Sequence, residues 1–415
     1  MQSRLGNWMR AAVGAALVAF GASAFAETLK IAFIDPFSGP YGVVSENALR
    51  SFRITEEFAR EAGGGDLKIE FTPFDNKISP QESLLQLKNA IDQGYRYVLQ
   101  GVTSGVTSAL IDAIEKHNQR NPGKEVVLLD WLTTNPDLIS KTCSFWYFRF
   151  FAESDMLAEG LAAEMAKNSE IKKVYMMSGA TSSGRQVLAG MRKSITKHMP
   201  QVEIVGEEYF PLGQVKDFAP YVAKIRASGA DTVFAGHGSV ETGLFMRSVK
   251  DANLQANVYS LYANGAGAAA AIGDAGVGRL KLITFWNPNA DEFAGARYFE
   301  TQRERHGDDY IVIMTQYVVG ALRAAVKKTG GSTDAVKVAL AMEDLKFSTL
   351  TGPVAIRKGD HQAQIPLYIG AWGKADGKAI RFDQEKTGYG WRPESKIDAM
   401  TSSRPVNCTM ARPKP

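Results

Sequence analysis

From Thr28 onward the chain alternates two patterns. Short apolar runs of strand character are separated by longer stretches whose apolar residues recur at helical spacing. The spacing predicts strands over 28–35, 67–75, 94–100 and 125–131. Helices are predicted over 46–62, 81–93 and 107–119. The first helix stops at Gly63-Gly64-Gly65. The second opens on Ser79-Pro80-Gln81-Glu82, which reads as a capping box with proline at the first helical position. A second unit is expected from a strand at 144–151 onward, with strands at 172–179, 202–210, 231–237, 257–263 and 281–286. Helices at 155–167, 185–198, 217–228, 241–252 and 266–273 intervene. Three further helices, 292–306, 312–328 and 333–344, precede a β-hairpin-like tail at 352–372. Strand–helix alternation of this kind specifies α/β architecture with mostly parallel sheets covered by helices on both faces, and two halves on one plan suggest two similar Rossmann-like lobes.

The beginning of the chain is different. Arg4 and Arg10 precede an uncharged run from Ala11 to Ala26 that ends in Ala24-Phe25-Ala26, the three-part layout of a cleavable secretory signal. A mature protein starting near Glu27 is therefore expected in an extracytoplasmic compartment. Without Arg4 and Arg10 there remain 46 basic against 44 acidic side chains. That balance gives no electrostatic reason to bind nucleic acid or an anionic membrane, and it does not speak to assembly; a monomer is the expectation. The two cysteines, Cys143 and Cys408, are expected to form one disulfide that pins the tail to the middle of an exported chain, two separate buried thiols being the alternative. No Cys/His spacing suits a metal.

Candidate chemistry lies at the ends of the strands, because ligands of open parallel sheets sit beyond the C-terminal strand edge. The segments found there are DPFSGPYG (35–42), GVTSGVTS (101–108), DWLTTNP (130–136), SGATSSGR (178–185), GHGSVETG (236–243) and YANGAG (262–267). They are rich in hydroxyls, glycines and helix-N-terminal amides, which hold an anion without any reactive group. Ser104 and Thr107 are equally suited to capping the helix they precede.

Taken in order, LKIAFIDPFSGPYG, the stretch from Asp75 to Ile114, TTNPDL (133–138), the stretch from Asp217 to Gly238 and LTGPVAIRKGDHQAQIPLY (350–368) resemble the type I periplasmic substrate-binding proteins of ABC transporters, in particular their leucine/isoleucine/valine-binding branch. KTCSFWYFRF (141–150) is similar to a subgroup of that branch whose ligands are often unassigned. The resemblance implies two lobes joined by three hinge crossovers, 27–146 with 285–352 and 147–284 with 353–415, closing on a small solute and docking to an inner-membrane ABC permease, without cofactor or turnover. It implies that Ser104, Gly105, Thr133 and Thr134 receive a ligand carboxylate. Ser182, Ser183, His237 and Ser239 would face it from the second lobe, His237 being otherwise a satisfied polar residue at its strand end, and Tyr41 would stand at the rim. Amino-acid binders of the family pair the ligand ammonium with a glutamate after the strand at 257–263. Here that place reads Tyr262-Ala263-Asn264-Gly265, with Tyr262 and Asn264 as candidate contacts and no acid. Either another acid such as Asp130, which is equally suited to capping a turn, substitutes or the ligand has no ammonium. Trp131, Tyr262 and Trp286, at strand ends, would suit an aromatic or extended apolar body, and core packing is the competing role, above all for Trp286. The leading expectation is a carboxylate-bearing solute of branched-chain amino acid type; the alternative is an amine-free aromatic or aliphatic acid.

Two other classes compete. Gly265–Ala270 matches the G-x-G-x-x-A phosphate-binding pattern of dinucleotide dehydrogenases, although it lies deep in the chain and lacks the following acid. No G-x-S-x-G elbow supports a serine hydrolase. A ligand-sensing domain that reports to a receptor would have the same fold and the same strand-end chemistry.

Overall fold

The computed structural model describes residues 28–413 apart from 64, 212, 266, 292–294, 308–313 and 401–402. The expected signal segment lies outside the described residues. The first lobe is built on β1 (Thr28–Asp35), α1 (Gly42–Glu61), β2 (Lys68–Asp75), α2 (Pro80–Asp92), β3 (Tyr97–Gln100), α3 (Ser104–Arg120), β4 (Val127–Asp130) and β5 (Tyr147–Arg149). Its five strands run parallel in the order β2-β1-β3-β4-β5. The chain moves from β1 to one side and then returns to the other. The switch point, and with it the crevice for a ligand, therefore lies beyond Asp35 and Gln100.

The second lobe comprises α4 (Ser154–Met165), β6 (Lys173–Gly179), α5 (Ser182–His198), β7 (Glu203–Phe210), α6 (Ala219–Ser228), β8 (Thr232–Ala235), α7 (Ser239–Asp251), β9 (Asn257–Ser260), α8 (Ala268–Ile272) and β10 (Leu280–Thr284). The chain then forms α9 (Ala296–His306), α10 (Thr315–Lys328) and α11 (Ala335–Met342). α10 packs on α1 of the first lobe and on α11. β11 (Lys346–Thr349), β12 (Gly352–Ile356) and β13 (Ala363–Gln364) form a small antiparallel sheet. β14 (Leu367–Lys374) and β15 (Tyr389–Ile397) then return to the second lobe and extend its parallel strands antiparallel, in the order β15-β14-β10-β9-β8-β6-β7. Its switch point lies beyond β6 and β8.

The strand expected to open the second unit belongs to the first sheet. Tyr147–Arg149 pairs with β4 and ends that sheet. All three residues are buried, and a strand covered on both faces carries no alternation that would reveal its partner. The tail is also more than a hairpin: 352–364 closes the small hinge-side sheet, and 367–374 joins the second lobe.

The apolar cores follow this division only in part. One cluster runs from the first sheet through Phe148, Phe150 and Met156 into Ile283 and Ile369 of the second. The other fills the opposite face of the second sheet around Phe210, Phe218 and Trp372. Helix starts were legible locally: Ser79 Oγ accepts from the Glu82 amide at 3.3 Å. Only half of the expected capping box is made, because the Glu82 carboxylate accepts from Gln86 instead. Cys143 and Cys408 are disulfide-bonded, with their Cα atoms 5.9 Å apart.

Candidate functional site

The strand ends of both lobes enclose a cleft of about 520 Å³, lined by residues 101–105, Ser108, 132–135, Ser183 and Gln186. Its first wall is the β3–α3 lip. Thr103 is the residue that caps α3, its Oγ1 accepting from the Val106 amide at 3.3 Å. Thr107 reaches back to Gln100 and to the Thr103 carbonyl. Ser104 and Gly105 are thus the first helical residues, and their amides have no acceptor within the helix. A Cβ at Gly105 would meet nothing within 4 Å, so the backbone opens directly onto the cleft.

Beneath the lip lies a residue that sequence reasoning did not single out. Asp35, fully buried at the end of β1, accepts from Trp131 Nε1 (2.9 Å), Gln100 Nε2 (3.1 Å), the Val102 amide (3.1 Å) and the Gly101 amide (3.3 Å). Burial pushes its carboxyl up to about 7, against four donors that pull it down. Trp131 is therefore a core residue, 1% exposed, packed edge-on to Phe33 and Phe52 under the floor of the cleft. Gly101 lies so close over its indole that a Cβ there would come within 2.4 Å.

The second wall is the turn after β4. Asp130 is also fully buried, and it accepts from the amides of Leu132 and Thr133, from the Thr133 hydroxyl and from Tyr147 Oη. Burial raises its carboxyl, and the Thr133 and Tyr147 donors oppose that. It folds the turn, so it does not offer the substitute ammonium partner considered from the sequence. The Thr133 hydroxyl points at Asp130, which leaves Thr134 as the outward threonine of the pair. Tyr262, from the second lobe, hydrogen-bonds Thr134 and is not itself among the lining residues; burial pushes its phenol up to about 12. Close to it, Glu153 caps α4 by accepting from the amides of Asp155 and Met156, and burial raises its carboxyl to about 7. Arg149 fastens the hinge: its guanidinium donates to the Asn135 carbonyl and to Gln362, both at 2.6 Å.

From the second lobe, Thr181 caps α5 by accepting from the Gly184 amide at 3.0 Å, which presents Ser183 and Gln186 to the cleft. The side chains of Ser182 and Ser239 lie outside the described residues. Three other expected contacts stand elsewhere. Tyr41 is 49% exposed on the β1–α1 connection and is not part of the lining. Asn264 bonds Thr284 and borders, with Trp286, a separate pocket beside α9. His237 is buried among Phe210, Phe218 and Phe245, where desolvation lowers its pKa to about 4. An exposed-looking glycine-rich loop gives no sign that its histidine turns into the core. The glycine pattern at Gly265–Ala270 is occupied from within, because the Glu385 carboxylate accepts from the amides of Gly267 and Ala269, where a pyrophosphate would have to sit.

Two lobes, a strand-edge cleft between them and a neutral polar lining are the anatomy of a solute trap. The model of the periplasmic binding protein family matches residues 28–378. The chain belongs to this family. Among its relatives, Leu/Ile/Val-binding protein homolog 4 of Brucella abortus (strain 2308) is 28% identical, with 97% of each chain covered. The closed-conformation crystal structure of a leucine-, isoleucine-, valine-, threonine- and alanine-binding protein from Brucella ovis is 26% identical. It covers 93% of this chain and is itself covered completely, at a TM-score of 0.83. A solute-binding protein of an ABC transporter from Rhodopseudomonas palustris BisB5, solved with 3,4-dihydroxybenzoic acid, has the same fold at 19% identity, covering 90% and 98% of the two chains with a TM-score of 0.74. Members of the family are binding proteins, and among the described residues no helix of this one is long and apolar enough to cross a membrane.

Proposed function

We propose that the protein is the periplasmic solute-binding component of an ABC uptake system, exported by a cleavable signal, and that it captures a small carboxylate-bearing solute between its lobes. The observation that carries this reading is the lining of the cleft. Amides at the start of α3, the hydroxyls of Ser104, Ser108, Thr134 and Ser183, and the side-chain amides of Asn135 and Gln186 converge there, with no charged side chain among the described residues. Such a lining stabilises an anion by hydrogen bonds of about 1.5–3 kcal/mol each, so three of them together with apolar contact reach roughly the 8 kcal/mol of a micromolar site. It supplies no acid, base or nucleophile for turnover. A ligand that bridges the Ser183 side and the Ser104 side shifts the population toward the closed form, and the closed form is what a membrane permease would recognise.

Two ligand classes fit, and each has its own support. The relatives named for leucine, isoleucine and valine support an amino acid of branched-chain type. The lining supports the second, an aromatic or aliphatic acid without an amine. Asp130 is committed to its turn and Glu153 to its helix cap, so an ammonium in the cleft would be buried unpaired, at a cost of several kcal/mol. A thermal-shift panel of leucine, valine, benzoate and 4-hydroxycinnamate tests both. A rise in melting temperature with the amino acids alone removes the second class, and a rise with the amine-free acids alone removes the first. If the protein as purified carries a solute bound elsewhere than between the lobes, the whole reading fails.

A further inference from the structure

Besides the three crossovers at the hinge, the chain passes between the lobes once more. β15 is the edge strand of the second sheet and ends at Ile397. The chain beyond it leaves the second lobe and finishes on the first, where Cys408 is bonded to Cys143. Cys143 belongs to the first lobe's own fabric: the preceding turn, Pro136–Ile139, packs on α3, and the neighbouring Ser144 hydroxyl donates to Glu115 of α3 at 2.5 Å. Beyond the disulfide, Met410 is buried in the apolar cluster shared by the two lobes, and Arg412 donates to Glu343, the residue after α11, at 2.6 Å. Between these anchorages the tail crosses a crevice of about 410 Å³ that separates the Pro136–Ser140 turn from α4 and α5. There Arg404 pairs with Asp155 on the first turn of α4 at 3.3 Å. Arg357, beside the third crossover, holds the Ser403 hydroxyl at 3.1 Å and also the Arg404 carbonyl.

We infer that the C-terminal tail is a fourth connection between the lobes, closed covalently by Cys143–Cys408, which limits how far the lobes part. The three crossovers leave rotation about the hinge soft, because each is a short segment that can absorb a dihedral change. A strap fixed to α4 on one side and cross-linked to the first lobe on the other must release Arg404 and extend before the cleft can open fully. The restraint resides in the chain itself and does not depend on which solute the cleft takes.

The test uses the full mature protein without ligand. Spin labels are placed through a non-canonical amino acid at Val43 and Val240, so the native cysteines are untouched. Both residues are strongly exposed on the first turns of α1 and α7. Distance distributions are compared for the oxidised protein, for the protein reduced with dithiothreitol (which yields two thiols and the oxidised dithiol), for Cys408→Ser, and for a variant with Gly-Ser-Gly-Ser inserted after Pro405, between the Arg404 and Cys408 anchors, and the disulfide intact. The expected result is that the weight of the long-distance component rises at least about threefold in all three perturbed forms, with circular dichroism unchanged. An unchanged distribution in the insertion variant overturns the inference even if the reduced form and Cys408→Ser fail to stay folded. Arg404→Ala separates the covalent from the ionic restraint. If it alone, with the disulfide intact, reproduces the full change, covalent closure is not the device.

Discussion

The buried carboxylate of Asp35 holds the lip of the cleft, and its coupling to Trp131 can be measured without knowing the ligand. In Asp35→Asn the amide oxygen can still accept from Gly101, Val102 and Gln100, but the new –NH₂ faces Trp131 Nε1–H where a carboxylate oxygen now accepts at 2.9 Å. One hydrogen bond to a charged group is lost, worth about 1.5–3 kcal/mol, and a buried donor is left facing a donor. The opposite effect is present as well, since asparagine removes a charge whose burial is unfavourable enough to raise the carboxyl to about 7. The net stability change of the single variant therefore mixes two terms of opposite sign, and its size decides nothing.

The cycle with Trp131→Phe isolates the contact. Phenylalanine has no indole donor, so the introduced asparagine meets no opposing N–H, and the cavity cost of Trp131→Phe cancels between the two arms. Asp35→Asn should then cost about 2 kcal/mol less in the Trp131→Phe background than in the wild type. The assay is urea unfolding of the four proteins at a pH well above 7, where the Asp35 carboxyl is ionised, accepted only where the m-value is constant. Equal costs in both backgrounds, within about 0.5 kcal/mol, would refute the claim that Asp35 holds the lip through the indole.

Three further outcomes test the site and its surroundings. Ser104→Ala should weaken binding of whichever acid the panel identifies by about tenfold or more, the loss of one charge-assisted bond. The melting temperature of the empty protein should stay unchanged, because Thr103 is the cap; equal affinity would take Ser104 out of the site. Gly105→Leu should abolish binding by filling the cleft while the empty protein becomes no less stable, since leucine is the better helix former by up to about 1 kcal/mol and a side chain there meets no neighbour; retained binding would show that the ligand lies elsewhere. His237, with its folded pKa lowered to about 4 from an ordinary 6.5, is neutral in the fold and protonates first in the unfolded chain. The unfolded state binds the extra proton below pH 6.5, so stability falls as the pH drops from there toward 4, by up to about 3 kcal/mol. His237→Gln should lose this part of the acid sensitivity, and parallel pH curves for the two proteins would exclude the histidine.

The lip at 101–108 shows how far local reading reaches. Its glycines, hydroxyls and following helix are visible in the string because turn and cap chemistry acts over three or four residues, and the caps at Ser79 and Thr181 follow the same short-range rule. Strand–helix alternation pointed to two lobes for the same reason: the period of burial is a local property. Where a buried strand goes is not. Tyr147–Arg149 is buried throughout, and only its register against β4 assigns it to the first sheet. The role of Asp35 was equally out of reach, and so was the choice between ligand contact and turn or core for Asp130 and Trp131. An aspartate at a strand end looks alike whether it faces a ligand or receives four donors from residues 65 to 96 positions away, and the difference is made by what packs over it. His237 turns inward because Phe210, Phe218 and Phe245 converge from three separate elements, and no window of sequence contains them together. Residue order alone was enough for the elements, the strand-edge chemistry and the pair of cysteines. Which of those polar groups remain open to a solute is settled only in three dimensions, because burial and long-range hydrogen bonding are properties of neighbours in space.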